Sequence, residues 1–313
     1  MAPGQLPEPS LTEVEFLNQS LSRGLRLDGR GFYKCRDIKV RFGDELGCVN
    51  VWIGSTRVST SVRATLVPPR ADRPYEGFLQ ITTDISPMAG SEYDMGGGAS
   101  SSARAREVLF DRLVEKAVRR TEAVDREALC VVAGEQVWNI HLTVHLLADT
   151  GAALDAAVLS SMISLRHFRR PDYTIENGNE VRLYSVEERV PVPLAIHHTP
   201  LCVTFSLFNL DRPSKPLSGS GQEQEESSGL DYGNTVSLMD PSLTEEILAD
   251  SKLVLVLNSQ KEICVLDKAG GAPLDAEVLL ETLRAGLARV KELSELVDEH
   301  LRKDASVRVV EVR

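Results

Sequence analysis

The stretch Val137-Trp138-Asn139-Ile140-His141-Leu142-Thr143-Val144-His145-Leu146 places large apolar residues at every even position. Polar residues occupy most of the odd positions between them. Such alternation predicts a β-strand with one buried and one half-exposed face. A helix from Ala152 to Arg166 follows the strand and is closed by His167-Phe168-Arg169-Arg170-Pro171. This strand followed by a helix is the starting point from which we infer the fold class.

Further strands lie upstream of this unit. Residues 48–53 and 58–62 alternate β-branched and small residues around the turn Gly54-Ser55-Thr56, which predicts a hairpin. Another strand is predicted from Phe78 to Ile85, ending at Ser86-Pro87, and a short one at Val131-Val132-Ala133. A triple glycine at 96–98, which could cradle phosphate but is more often a connector, precedes a helix ending near Arg120.

The two ends of the chain carry helical patterns. The first ten residues contain three prolines and predict a loose tail, after which Leu11 to Leu25 has helical spacing with Ser10 or Thr12 as its cap. A long amphipathic helix is predicted from Asp275 to Arg302.

A second half begins near Val190. Its predicted strands are 201–207, 253–257 and 263–266, and an exposed loop rich in Ser, Gly, Gln and Glu spans 212–229. Strands followed by helices therefore occur twice, which predicts an α+β chain of two similarly built halves. We divide it into four parts: 1–25, the tail and first helix; 26–185, the first half; 186–303, the second half; and 304–313, a C-terminal segment.

Composition limits the classes of function. The 313 residues carry a net charge of −11, which argues against coating nucleic acid nonspecifically, because that needs many phosphate-neutralising cations. The five cysteines form no C-x-x-C pair, so we expect reduced, mostly buried thiols and neither a disulfide framework nor a metal site. No apolar run is long enough to span a membrane, and we expect an intracellular setting.

One helix carries a local concentration of positive charge. Within Asp111 to Arg120, residues Arg112, Lys116 and Arg120 are spaced four apart and would share one helix face. The apolar residues Val108, Leu109, Leu113 and Val118 would face a core. A basic ridge on an acidic chain indicates a specific polyanion site. The alternative is a solvated face with Glu115 and Glu122 as partners.

Several motifs, in order, carry a resemblance to a known family. They are Arg26-Leu27-Asp28-Gly29-Arg30, Gly54-Ser55-Thr56-Arg57-Val58, Ser86-Pro87-Met88-Ala89, the helix 112–120, the run 125–134, the run 167–172 and Asp267-Lys268-Ala269-Gly270-Gly271. The chain resembles the RNase PH family over nearly its whole length, and within it ring subunits of the eukaryotic RNA exosome. The resemblance implies an α+β fold of two βαβα-type halves with mixed sheets and packed helices. Active members are phosphorolytic 3′→5′ exoribonucleases assembled as dimers into a hexameric ring.

The phosphate cradle of active members has lost its donors in this sequence. Active bacterial relatives have an Asp-Gly-Gly turn with Thr-Arg-Thr, whereas the matching run here is Asp149-Thr150-Gly151-Ala152-Ala153-Leu154. Losing one such donor typically costs roughly 100- to 1,000-fold in rate. The family's Asp-x-Asp-x-Asn segment matches Asp250-Ser251-Lys252-Leu253-Val254, where a lysine replaces the second carboxylate. We therefore expect no catalytic residue, cofactor or metal.

Other polar residues have structural interpretations. Asp149 and Asp155 favour a structural role, since Asp155 lies near the positive end of a helix. His197 and His198, as neighbours on a strand, would face opposite sides. Trp52 and Trp138 would fill core or interface space, and Arg169 and Arg170 would cap the preceding helix.

The resemblance predicts a catalytically inert ring subunit that guides single-stranded RNA for 3′→5′ degradation and processing. The expected RNA-contacting residues are the following: Arg112, Lys116, Arg119, Arg120, Arg104 and Arg106. Implied partners are the other RNase PH-like ring subunits, RNA-binding cap subunits and a hydrolytic exonuclease, in the nucleus, nucleolus and cytoplasm. Two alternatives are an active phosphate-dependent 3′→5′ exoribonuclease and an architectural ring subunit without RNA contact.

Overall fold

The computed structural model describes residues 10–90, 93, 101–176, 180–185, 188–210, 235–271 and 273–308. The predicted exposed loop 212–229 and the triple glycine 96–98 lie outside the described residues, as do the first nine residues of the predicted tail. The helices are Leu11–Ser22 (α1), Ser101–Val118 (α2), Ala153–His167 (α3), Leu243–Leu248 (α4) and Ala276–Val307 (α5).

Fourteen strands are assigned in the described part of the chain. Those of the first half are Ile38–Phe42 (β1), Val49–Ile53 (β2), Thr56–Val67 (β3), Phe78–Ile85 (β4), Cys130–Val132 (β5), Gln136–Ala148 (β6), Arg169–Arg170 (β7), Tyr173–Glu176 (β8) and Glu180–Leu183 (β9). Those of the second half are Val192–Pro193 (β10), Leu201–Asn209 (β11), Thr235–Met239 (β12), Ser251–Leu257 (β13) and Ile263–Gly270 (β14).

The first sheet is built around the alternating stretch that opened the sequence. Its order is β1-β2-β3-β6-β4, with β5 also paired to β6. The β4–β6 pairing is parallel and the others are antiparallel, so this sheet is mixed. On β6 the side chains from Trp138 to Leu146 are buried at even positions, while the odd positions are half-exposed. The predicted half-exposed strand is thereby confirmed.

The second sheet has the order β12-β11-β13-β14, and its described pairings are antiparallel. Strands β11, β13 and β14 contain the three predicted strands of the second half. Strand β12 and helix α4 were missed by the sequence analysis, because β12 is short and follows the compositionally biased loop. Two small antiparallel two-stranded sheets, β7 with β10 and the hairpin β8 with β9, complete the described strands.

Helix α3 lies in the centre of the molecule. Fourteen of its fifteen residues are buried, because it packs on β2 and β3 of the first sheet and on β11 of the second. Thr204 on β11 contacts Asp155 of α3, and the neighbouring Phe205 lies next to Gly286 of α5. The two halves therefore share one apolar core with α3 inside it.

The helices at the two ends of the chain and the expected absence of a membrane span have the following outcomes. Ser10 caps α1 and forms a reciprocal capping box with Glu13. Helix α5 continues past residue 303 to Val307, so the boundary that we place between 303 and 304 falls inside a helix. Within the described ranges, none of the helices combines the length and apolar character that a membrane span needs.

Two predictions about burial are wrong. Val108 and Leu109 were expected to face the core, but they are 44% and 57% exposed. The other two residues of the predicted stripe do face it: Val118 is buried and Leu113 packs partly buried against the core, together with the buried Val114 and Ala117. The predicted stripe is therefore right for Leu113 and Val118 and wrong for Val108 and Leu109. The five cysteines are unpaired, but Cys202 alone is buried and the other four are partly exposed.

Candidate functional site

The segment that would form a phosphate cradle lies at the junction of the two halves. Gly151 has φ +102°, and a Cβ there would lie 2.4 Å from the carbonyl oxygen of Pro241, so the turn tolerates only glycine. The hydroxyl of Thr56 donates to the carbonyl of Gly151 at 2.7 Å, and the Leu243 amide donates to the carbonyl of Thr150 at 3.0 Å. The turn is thus held against the segment that leads into α4.

The N-terminus of α3 already holds an anion that the protein itself supplies. The amide nitrogen of Ala152, at the N-cap position, donates to Oε1 of Glu246 at 3.0 Å. A helix N-terminus attracts negative charge through its free N–H groups and its dipole. Ala152, Ala153 and Leu154 are buried and contribute no polar side-chain atom. Glu246 therefore occupies the donor that the start of α3 would otherwise offer to an external anion.

Lys252 neutralises Glu246. Its Nζ lies 3.3 Å from Oε1 of Glu246. Burial by itself would lower the pKa of Lys252, but the carboxylates of Glu246 and Asp155 outweigh it and raise that pKa. The lysine is therefore charged. Lys252, at which the sequence comparison expects a carboxylate in active members, balances the charge of a carboxylate from α4.

Asp155 is tied to the second sheet. It accepts hydrogen bonds from the amide and the hydroxyl of Thr204, at 2.9 and 2.6 Å. Burial raises the pKa of Asp155, and burial with the nearby Asp155 raises the pKa of Cys202 well above its ordinary value. These contacts support the structural interpretation of Asp155.

Three arginines from the segment after α1 hold α4 in place. Nη2 of Arg26 lies 2.6 Å from Oε2 of Glu245, and both side chains are fully buried. Arg30 and Arg36 both pair with Asp240, at 2.8 and 2.6 Å. Because Glu245 and Asp240 flank the start of α4, these pairs fix the helix that presents Glu246.

Asp149 closes the other side of the junction. It accepts from the hydroxyl of Tyr93 at 2.8 Å and from the amide of Gly151 at 2.9 Å. The guanidinium of Arg106 lies over the ring of Tyr93, 5.6 Å from its centroid. Arg106, one of the predicted RNA-contacting residues, is therefore the one that reaches the cradle segment through a single intervening side chain.

The remaining predicted cations are spread along and beyond α2. Arg104, Arg112 and Arg120 are exposed, and no ion pair links them to an acidic residue among those described. Lys116 instead pairs with Asp267 of β14 at 3.2 Å, and Arg119 pairs with Glu115. Helix α2 ends at Val118, so Arg120 lies in the following turn and does not continue the stack of Arg112 and Lys116. The row of basic residues on α2 is therefore shorter than the spacing predicts, and two of its members are paired with acidic residues.

The structure also locates the predicted capping arginine, the histidine pair and Asp250. Arg169 donates to the carbonyls of Arg166 and Phe168, which confirms its capping role at the end of α3. His197 and His198 lie in the loop before β11, so the expectation that they alternate on a strand is wrong. Asp250 accepts from the amide of Asn209 at 2.9 Å, at an exposed end of the two central strands of the second sheet.

Sequence reasoning missed Glu246 and the arginines that support it. A signal for α4 is present, since Ser242 and Glu245 form a capping box with the spacing expected for a helix start. The partners of Arg26 and Arg36 lie more than 200 residues away, and no local pattern indicates such pairs.

Comparison with family models shows where this chain belongs. Residues 34–171 match domain 1 and residues 198–289 match domain 2 of the 3′ exoribonuclease family, RNase PH. The chain is a member of the RNase PH family.

Two curated relatives bear the same printed name, Exosome complex component RRP45. The protein from Saccharomyces cerevisiae is 37% identical over 301 residues, covering 96% of this chain and 93% of its own. The human one is 36% identical over 296 residues, and the match covers 95% of this chain and 61% of the human protein.

Solved structures agree in fold. A chain from the Archaeoglobus fulgidus exosome with RNA bound to the active site gives a TM-score of 0.68 at 23% identity, covering 91% of this chain and 97% of that one. An archaeal exosome core gives 0.66 at 22% identity, covering 92% and 96%. The RNase PH-like α+β fold expected from the sequence is thereby confirmed.

Proposed function

We propose that this chain is a non-catalytic RNase PH-like ring subunit of the RNA exosome, which helps to assemble the ring and to guide single-stranded RNA. The names of the relatives at 36–37% identity support the exosome assignment. The observation that carries the non-catalytic part is the contact between Glu246 and the Ala152 amide.

Phosphorolysis requires inorganic phosphate to rest among hydrogen-bond donors beside the RNA end. Here the N-terminal donor of α3 is used by Glu246, and the neighbouring side chains are alanine and leucine. A phosphate about 4 Å from the Glu246 carboxylate would meet roughly 4 kcal/mol of repulsion at an effective dielectric of about 20. The charge of Lys252 offsets part of this repulsion, so the exclusion of phosphate depends mainly on Glu246 already occupying the Ala152 amide.

Guidance of RNA would use the exposed cations of α2 and the turn after it. Arg104, Arg112 and Arg120 are available to phosphates, and Arg106 lies near the cradle segment through Tyr93. Contacts of this type read no sequence, which suits a channel that admits any single strand. The exposed Val108 and Leu109 on the same helix suit burial against a neighbouring ring subunit.

By family resemblance, the wider partners are RNA-binding cap subunits and a hydrolytic exonuclease that receives the strand. The same resemblance places the chain in the nucleus, nucleolus and cytoplasm.

Two measurements test the proposal. The purified chain, alone and with its dimer partner, is incubated with single-stranded RNA and inorganic phosphate, and nucleoside diphosphates are quantified; we expect none. Their appearance, together with their loss in Asp149→Asn, would establish the active-enzyme alternative.

The second measurement addresses guidance. The double variant Arg112→Glu with Lys116→Glu is placed in the assembled ring, and RNA affinity is measured against salt concentration. We expect weaker binding and a slope lower by about 0.7 for each lost phosphate contact. An unchanged affinity and slope would favour the architectural alternative.

A further inference from the structure

The solvent face of the first sheet carries a second concentration of positive charge. This face lies opposite the one that covers α3, and it holds four exposed basic side chains: Lys39, Arg41, Arg57 and Arg63. Lys39 is directly opposite Trp52, and Trp52 is directly opposite Arg57. Paired residues on antiparallel strands point to the same face, so the three form one row across β1, β2 and β3.

The basic side chains on this face lack acidic partners among the described residues. None of the four basic side chains forms an ion pair with an acidic residue in the described part of the chain, although the net charge is −11. The strand positions on this face include one carboxylate, Asp84 on the far strand β4, and it pairs with His145 at 3.0 Å. On α2, by contrast, two of the predicted cations are neutralised by Asp267 and Glu115.

An aromatic residue lies among these cations. Trp52 is half-exposed, and the guanidinium of Arg57 lies 5.1 Å from the centroid of its ring. The other tryptophan, Trp138, is 1% exposed in the core. A large aromatic side chain on an open sheet face contributes nothing to the core, and its flat surface beside an arginine is suited to stacking a nucleobase.

The polar residues around Trp52 complete the platform. Asn50, Ser59 and Ser61 lie on the same face and are partly exposed. From strand geometry, Lys39 and Arg41 are about 7 Å apart along β1, and Arg57 and Arg63 about 20 Å apart along β3. The face is therefore long enough for several nucleotides.

We propose that the solvent face of the first sheet binds single-stranded RNA, with Trp52 stacking on a base and Lys39, Arg41 and Arg63 contacting phosphates. This surface is separate from α2, and the inference rests on the proposed function only in taking RNA as the polyanion. Unpaired cations and a stackable indole together favour RNA over an acidic protein surface, which the cations alone would also attract.

Trp52 provides a direct test. The full chain contains two tryptophans, and Trp138 is shielded from solvent, so a change in fluorescence on adding RNA reports on Trp52. We titrate the chain with a single-stranded oligouridine of about ten nucleotides, a length within the usual site sizes for such surfaces. We expect quenching in the wild type, no quenching in Trp52→Phe, and about tenfold weaker binding in Trp52→Ala.

Two double charge reversals, one on this face and one elsewhere on the chain, distinguish binding at this face from nonspecific electrostatic attraction. Lys39→Glu with Arg41→Glu should lower the salt slope of binding by about 1.4, corresponding to two phosphate contacts. Arg284→Glu with Lys291→Glu changes the net charge equally on the exposed side of α5 and should leave the slope unchanged. Thermal unfolding of each variant identifies any that fail to fold.

Two outcomes would overturn the inference. One is unchanged Trp52 fluorescence at RNA concentrations where anisotropy shows the oligomer to be bound. The other is loss of the RNA response when ring partners are added, with Trp52 then buried by protein. Failure of the α2 proposal is recognised separately, because Arg112→Glu with Lys116→Glu should leave the quenching of Trp52 intact.

Discussion

Removal of the Glu246 side chain tests the assignment of an internal anion at the start of α3. Glu246→Ala deletes the charged acceptor of the Ala152 amide and the partner of Lys252. A hydrogen bond to a charged group contributes roughly 1.5–3 kcal/mol, and a partly exposed pair such as Glu246–Lys252 contributes at most about 1 kcal/mol. We expect a loss of about 2 kcal/mol in the free energy of unfolding, measured by urea denaturation. Glu246→Gln keeps an acceptor oxygen and should cost about 1 kcal/mol.

The same variant should gain an affinity that the wild type lacks. With Glu246 removed, the α3 N-terminus and Lys252 offer a donor and a positive charge to a free anion. Inorganic phosphate at five times its Kd would then stabilise Glu246→Ala by about 1 kcal/mol, from the binding contribution RT ln(1 + [L]/Kd). Denaturation repeated in phosphate and in chloride of equal ionic strength measures this difference. In the wild type and in Glu246→Gln, where the position stays filled, we expect no difference between the two salts.

Two results would refute the reasoning. If phosphate stabilised the wild type as much as Glu246→Ala, the site would already be open. If it stabilised neither, the N-terminus of α3 would not be an anion site, and the non-catalytic proposal would rest on the side-chain losses alone. Neither variant should release nucleoside diphosphates, because the alanines and the leucine remain.

Three further predictions concern other contacts. Asp240→Asn should destabilise the chain by about 3 kcal/mol in urea denaturation, because it leaves Arg30 and Arg36 without their buried partner. The control Asp28→Asn, at a more exposed position, should cost under about 1 kcal/mol. Equal losses in the two variants would contradict this prediction. Asp267→Asn should strengthen RNA binding and steepen its salt slope by about 0.7, because Lys116 is released from its ion pair and can contact a phosphate. Fluorescence anisotropy at several salt concentrations measures that slope. An unchanged slope would mean that Lys116 does not contact RNA. Burial lowers the pKa of His167 despite the nearby Asp304, so the unfolded chain binds a proton at this histidine more readily than the folded chain does. The free energy of unfolding should therefore fall as pH drops below about 6.5, the ordinary pKa of histidine, and level off below the folded pKa. The same pH series on His167→Gln should lack that component.

The sequence was sufficient for elements whose pattern is local. The alternation along 137–146 predicts the central strand β6, and the long periodic stretch after Asp275 predicts α5, because each side chain's environment follows from its position in one regular element. Strand β12 and helix α4 escaped prediction because each is short and they follow the biased loop. The apolar face of α2 was predicted correctly at Leu113 and Val118 but wrongly at Val108 and Leu109, because periodicity alone does not show which apolar residues face the core.

The candidate site was predictable in part. The absence of polar side chains at residues 152–154, from which the sequence analysis expects an inert cradle segment, is visible without any structure. The presence of Glu246 at the helix N-terminus was not, since it depends on α4 being brought to α3 by arginines that lie more than 200 residues earlier in the chain. The neutralisation of Lys116 by Asp267 was invisible for the same reason, because the two residues meet only through the packing of the two halves.

The link from Arg26 to Glu245 has a practical consequence for anyone preparing fragments of this protein. The family match begins at residue 34, and a recombinant piece cut there would appear complete by that criterion. It would lack Arg26 and Arg30, leaving Glu245 enclosed without a countercharge and Asp240 with one arginine fewer. Since an uncompensated buried carboxylate costs about 3–5 kcal/mol, a sizeable share of a typical domain's total stability, such a fragment should aggregate or unfold, whereas one that begins before Ser10 should behave as the intact chain.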